Sequence, residues 1–195
     1  LDSDAKTENE LIKKYRTISL LPEVETAIDD IVNESIITDE IEDPVKLNMD
    51  KVTKVSDAIK KQIVEEFSEI LRLLDFQTNG YDIFKKFYVD GRLYYDKIIN
   101  DSSPSKGILS LRQIDPLTIN KVKEVIKTKD PKTGIDVEKE VQEFFIYTPK
   151  PRSVKTGLHS SRLVTSQILK VSVDRIAFIH SGVIDAEKQI VLSHL

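Results

Sequence analysis

Apolar residues recur at helical spacing through roughly the first ninety positions and then switch to alternation, so the chain reads as helices followed by strands. Residues 1–7 are polar and predict a frayed start. Leu11, Ile12, Tyr15 and Ile18 share one side of a helix over about residues 8–20. Pro22 restarts the chain as a first helical residue. Val24, Ala27, Ile28, Ile31 and Val32 then follow helical spacing, with acids opposite. The acidic run 39–43 and Pro44 break the pattern, and Val45, Leu47 and Met49 alternate as a short strand would. The most regular stripe comes next, over about residues 53–74: Val55, Ile59, Ile63, Phe67, Ile70, Leu71 and Leu74 trace one face for five turns. That stripe predicts a core support with Phe67 buried. A fourth helix over about 79–90 ends at Gly91, a left-handed cap.

Beyond Gly91 the sequence predicts strands at 93–99 and 108–114 around a polar loop. A long hairpin follows, 121–128 with 135–147, about the Asp130-Pro131-Lys132-Thr133-Gly134 turn. Two short strands near 167–171 and 175–180 come after a polar stretch. Helices first and hairpins later imply an α+β fold in which N-terminal amphipathic helices pack on an antiparallel sheet or small barrel. Leu1 opens the sequence, and Gln189 to Leu195 turn apolar and periodic. We read the chain as a piece of a longer polypeptide with a helix starting at 188–195.

Charge changes the picture more than composition does. The net charge of −4 is split: residues 1–50 hold fourteen Asp/Glu against five Lys/Arg, a net of −9, and the remainder is +5. No acid occurs from Phe144 to Val173, where Lys150, Arg152, Lys155, Arg162 and Lys170 lie. Those five are the candidate contacts, either for phosphate or for an acidic neighbour. The larger complementarity is with the acidic region 1–50 of another copy. With no base-reading motif, any nucleic-acid contact there is expected to be non-specific and salt-sensitive.

Candidate chemistry is sparse. The sequence has no Cys, which removes disulfides, thiolate metal sites and a cysteine nucleophile. Six glycines form neither a dinucleotide fingerprint nor a phosphate loop. His159, His180 and His194 make no metal-type pair, and His159-Ser160-Ser161 lacks the surroundings of a nucleophile elbow. Paired acids such as Asp29-Asp30 and Glu65-Glu66 fall on polar helix faces. Phe84, Phe87, Tyr88, Tyr94 and Tyr95, interleaved with Lys85, Lys86 and Arg92, fall at core spacing rather than as a stacking platform. Apolar runs stop at four residues, so no segment reads as membrane-spanning, and the chain does not open on a signal peptide. No cofactor, metal or catalytic residue is expected.

Several strings, in order, carry a resemblance. They are Tyr15-Arg16, Pro22-Glu23-Val24, Ile28-Asp29-Asp30-Ile31-Val32-Asn33-Glu34, Leu73-Leu74-Asp75-Phe76 and Tyr81-Asp82-Ile83-Phe84. They continue with Tyr88-Val89-Asp90-Gly91-Arg92-Leu93-Tyr94, Leu111-Arg112-Gln113-Ile114-Asp115-Pro116 and Ile179-His180-Ser181-Gly182. Together they span most of residues 10–195, and the chain resembles the portal proteins of contractile-tailed bacteriophages. The resemblance implies a non-enzymatic subunit of a ring, usually of twelve, at one capsid vertex of the virion, assembled in the host cytoplasm. It implies contacts with the major capsid protein and scaffold, the terminase packaging motor and neck or tail connector proteins. Double-stranded DNA would pass through non-specifically, and there would be no small-molecule substrate. In those terms residues 10–187 are the wing domain (10–91 mainly helical, 92–187 mainly β), 1–9 precede it and 188–195 begin the stem helix. Clip, remaining stem and crown lie elsewhere. The rival readings are a monomeric nucleic-acid-binding adaptor and a fragment of a DNA-packaging nuclease.

Overall fold

The computed structural model describes residues 2–36, 44–129, 136–149, 153–156, 160–163, 168–187 and 190–195. Of these, residues 2–7, 126–129, 136–140, 153–156 and 160–163 are described by their backbone. Four helices come first: α1 (Asp2–Ile18), α2 (Pro22–Ser35), α3 (Asp57–Leu73) and α4 (Phe76–Asp90). Eight strands follow: β1 (Arg92–Ile99), β2 (Ile108–Ile114), β3 (Ile119–Lys129), β4 (Asp136–Tyr147), β5 (Ser153–Thr156), β6 (Ser160–Leu163), β7 (Leu169–Ser172) and β8 (Ile176–His180). They form antiparallel sheets in the orders β2-β1-β8 and β3-β4-β7, with β5-β6 as a two-stranded ribbon. The fold is α+β, as the change of period predicts.

The central strand β1 explains how the layers stack. Its first five residues are buried on both faces, the signature of a strand covered from two sides. Tyr94 points to the second sheet, packing with Ile119 and Phe145 of that sheet and with Ile114 and Ile176 of its own. Its ring lies parallel to Phe178 at 4.7 Å and meets Phe145 edge-on at 6.0 Å. Burial pushes the Tyr94 hydroxyl up to about 12. Leu93 and Tyr95, alternating with it, take the opposite face, towards the helices. There a second core gathers Ile28 and Val32 of α2 and Val89 of α4, flanked by Tyr15, Tyr81, Phe84 and Tyr88. The aromatics of residues 81–95 thus serve two cores.

At the rim of the sheet-sheet core stands Asp96, 3% exposed. Arg175 reaches it with Nε at 2.7 Å and Nη2 at 3.2 Å, and Arg112, directly across on β2, with Nη2 at 2.6 Å. Two half-exposed guanidiniums therefore satisfy one buried carboxylate. They hold its pKa below the ordinary aspartate range, the Arg175 hydrogen bonds foremost, against the opposing effect of burial.

Tyr95 is the counter-example. Its hydroxyl is buried with no hydrogen-bond partner among the described residues, and burial raises its pKa. A buried unpaired hydroxyl costs about 1–3 kcal/mol. Tyr95→Phe is therefore expected to stabilise the fold by about 1 kcal/mol in denaturant unfolding. A comparable loss would reveal a partner.

Four sequence expectations need correction. Residues 2–7 are helical, so α1 starts before the expected 8. Residues 45–49 form no strand: Asn48 Oδ1 accepts from the Asp50 N–H at 2.8 Å and Val52 N donates to Met49 O, which turns the backbone. Among the described residues α3 supports no core within this chain. It starts after Ser56, whose hydroxyl caps Ile59 N–H, and has no buried residue; Phe67 is half-buried. Residues 190–195 are extended rather than helical: Val191 bridges Ile184, and Leu192 N donates to Val183 O at 2.8 Å.

Candidate interaction surfaces

Three ionic joints tie the helices to one another and to the sheets. At the first, the last turn of α1 carries Arg16, whose Nε and Nη2 reach the two oxygens of Asp90 at 2.8 and 2.7 Å. Nη2 also reaches Asp115 Oδ1 at 3.0 Å. Asp115 in turn caps the 3-10 turn Pro116–Thr118 by accepting from Leu117 N–H. One guanidinium so ties the end of α1, the end of α4 and the β2–β3 connection, and the Asp90 hydrogen bonds above all raise its pKa. A cleft of about 500 Å³ opens beside it, bordered by Lys85, Lys86 and Gln113. Arg16 engages both Asp90 and Asp115, so these two carboxylates join segments.

At the second joint Arg92, the first residue of β1, is 2% exposed. Nη1 binds Glu8 of α1 at 2.7 Å, and Nη2 donates to the Val191 carbonyl. Nε faces the Asp90 carbonyl at 3.4 Å. The chain after β8 passes close over Gly91, whose φ is +68°; a Cβ there would run into the Leu192 carbonyl. Ser193 Oγ donates to Tyr88 O at 2.9 Å and Ser181 Oγ to Leu192 O at 2.6 Å. His194 stacks on Tyr88 at 5.4 Å. Residues 190–195 are thereby strapped to the α4–β1 corner.

The third joint lies between α2 and α4. Asp29 accepts from Tyr81 Oη at 2.8 Å and from Lys85 Nζ at 2.5 Å. The Lys85 hydrogen bond, then that of Tyr81, lowers its pKa, and both partners are raised in return. The rest of α2's acids, Glu23, Glu25, Asp30 and Glu34, form no ion pair among the described residues.

The five candidate contact residues are divided. Lys150 and Arg152 lie outside the described residues. Lys155 and Arg162 fall on β5 and β6, where the backbone alone is described. Lys170 on β7 is occupied within its own chain: its Nζ sits 3.7 Å from the Phe144 ring centre and 3.9 Å from Glu124. Nearby, β3 and β4 continue past β7, which pairs with residues 144–147, as a two-stranded ribbon carrying the Lys121–Glu143 pair at 2.7 Å. Among the described residues no group of three or more His, Asp or Glu could hold a metal ion, and no helix is long and apolar enough to cross a membrane.

Sequence reasoning missed all three joints. Most of their partners stand more than fifty residues apart, up to the 105 between Tyr88 and Ser193, a distance that periodicity does not bridge. Arg16, Asp29, Asp90, Arg92 and Asp115 do lie inside the strings that carried the resemblance.

These surfaces hold segments together and offer contacts. The chain belongs to the bacteriophage T4-like portal protein family, whose sequence profile matches residues 8–195. It is 33% identical over 187 residues to the portal protein of Vibrio phage KVP40 (isolate Vibrio parahaemolyticus/Japan/Matsuzaki/1991), a match that covers 93% of this chain and 35% of that one. It is 31% identical over 186 residues to the portal protein of Salmonella phage ViI, covering 93% and 33%. The chain spans about a third of the length of these curated relatives.

Proposed function

We propose that this chain is the wing segment of a portal subunit, a structural part of a homo-oligomeric ring, a dodecamer, at the unique vertex of a phage capsid. The observation that carries the reading is the family match over residues 8–195, nearly the whole chain. In this role the ring is a conduit for double-stranded DNA during packaging and ejection. It is a docking platform for the terminase motor and later for neck and tail proteins, and its outer face meets the capsid protein and scaffold. Residues 10–187 are the wing, and 188–195 lead towards the stem. The subunit carries out no catalysis and needs no cofactor. Transient phosphate or inter-subunit contacts fall to Lys150, Arg152, Lys155 and Arg162, whereas Lys170, engaged on Phe144, contributes less.

The test is the mass of the complete polypeptide in solution. A particle of about twelve copies with a central hole is the expected result. A monomer that binds DNA would favour an adaptor, and magnesium-dependent DNA cleavage lost on changing one carboxylate here would favour a nuclease. Replacing Lys150, Arg152 and Lys155 by Gln is expected to reduce ring yield while leaving DNA retention unchanged; intact rings with weaker, less salt-sensitive DNA binding would assign these residues to the channel.

A further inference from the structure

Two apolar patches of this chain are left open. The first is on α3. Leu47, Ile59, Ile63, Phe67 and Ile70 line a groove of about 500 Å³. Ile59 is 51% exposed and Ile70 43%, although sequence periodicity gives this stripe the pattern of a core helix. The second is the corner between α1 and α2, where Ile18, Leu20 and Leu21 are 43%, 72% and 52% exposed. Three large apolar side chains within four residues make a knob in need of a socket.

Their surroundings carry opposite charge. The knob leads into α2, which holds five acids and no base. The groove itself holds one acid, Glu66, and the segment leading into it, residues 44–61, has five lysines against two aspartates, of which Lys60 and Lys61 are paired with Asp57 and Glu65. Lys51 and Lys54 are exposed and form no ion pair among the described residues, as is true of Glu23 and Glu25. Within one copy both patches are carried on α4, the groove's helix α3 packing in addition on β2. The knob is anchored to the last turn of α4 through Arg16 and Asp90, and α1 and α2 pack on α4. α3 packs on β2 and on the helix that its own end leads into.

We propose that the α1–α2 corner of one copy seats in the α3 groove of the next, with the acids of α2 facing the lysines of residues 44–61. This rests on the ring reading above and names the surfaces that close it. A ring needs a head-to-tail interface built from two different patches, whereas a two-fold dimer needs one patch that matches itself. The chain supplies two unlike patches, both apolar at the centre and opposite in charge at the rim, the anatomy of a specific interface. It also accounts for the bare α3 stripe: the helix does support a core, one shared between copies.

The chain contains no cysteine, which permits a direct test. In the complete polypeptide, cleared of any other cysteine, Leu21→Cys and Ile63→Cys are installed together and assembled rings are oxidised. The expected result is a ladder of covalent multimers under denaturing conditions, with monomers from either single variant. Independently, Glu23→Lys with Glu25→Lys should lower ring yield about ten-fold, and adding Lys51→Glu with Lys54→Glu should restore it. Normal rings that give no ladder and ignore the charge reversal overturn the proposal while the ring reading stands. A bridge closed within one copy, read as a faster-running monomer, overturns it too, because the groove is then covered by the same chain. If unmodified protein forms no ring at all, the portal reading fails and the proposal with it.

Discussion

Arg92→Met is expected to destabilise the fold by about 3–5 kcal/mol, the range for breaking a buried ion pair from one side. The guanidinium is 2% exposed and has three separate acceptors: Glu8, the Asp90 carbonyl and the Val191 carbonyl. Methionine fills much of the volume but answers none of them. The Val191 carbonyl is then left without its donor, and Glu8, 25% exposed, must turn to water. Arg92→Lys should rescue little, because one ammonium cannot span acceptors arranged around a planar fork. Denaturant unfolding measures the loss. Amide exchange adds a local reading: residues 181–184 and 190–193 pair with one another through Ser181, Val183 and Leu192, and they should exchange faster than β1. A cost under about 1 kcal/mol, with exchange unchanged, would mean that packing alone holds the exit segment.

That joint also marks where sequence reading stops. Ile190, Val191, Leu192 and Leu195 have a spacing that suits a helix, and nothing in their identities announces an extended path over Gly91. The deciding facts are distant: a buried arginine at 92 that takes the Val191 carbonyl, and a position at 91 without a Cβ. Gly91 itself was legible as a left-handed cap, because glycine is the residue that meets φ > 0 without strain. Its second role, letting another segment pass, was not.

The α3 stripe teaches a related lesson. Amphipathic spacing reports that a face needs cover and is silent on whose atoms supply it. Ile59, Ile63, Phe67 and Ile70 have the spacing of a core helix and lie half open. The change of period after Gly91, by contrast, was decisive, since side-chain alternation in strands is a property of the backbone. β1 and β2 fall where alternation put them, and the β3–β4 hairpin begins within a few residues of its predicted ends. Three alternating residues at 45, 47 and 49 were too few, and a local asparagine turn prevailed. The basic stretch was visible as charge, but charge does not say that Lys170 spends its ammonium on the ring of Phe144.

Asp96→Asn is expected to cost about 2–3 kcal/mol at neutral pH, the range for hydrogen bonds to a charged group. The carboxylate is acceptor-only and receives Arg175 on one side and Arg112 on the other. An amide offers one acceptor, and its NH2 points a donor at a guanidinium donor. The cost is bounded because both arginine side chains are more than half exposed and can rehydrate. Its pH dependence has a definite sign. The folded pKa of Asp96 is lowered, so the folded state binds its proton less readily than the unfolded chain does. The stabilisation is complete above the ordinary aspartate value near 3.8 and is lost as pH falls through the lower folded value. The gap between wild type and Asp96→Asn should hold steady from pH 7 to about 5 and shrink below about 4, where the unfolded chain's carboxylate takes up a proton before the folded one does. Arg112→Gln and Arg175→Gln should each cost less than Asp96→Asn, since the remaining arginine still satisfies the buried carboxylate. A gap independent of pH would show that Asp96 acts through packing rather than charge. Equal costs for all three variants would show that the two arginines act as one unit.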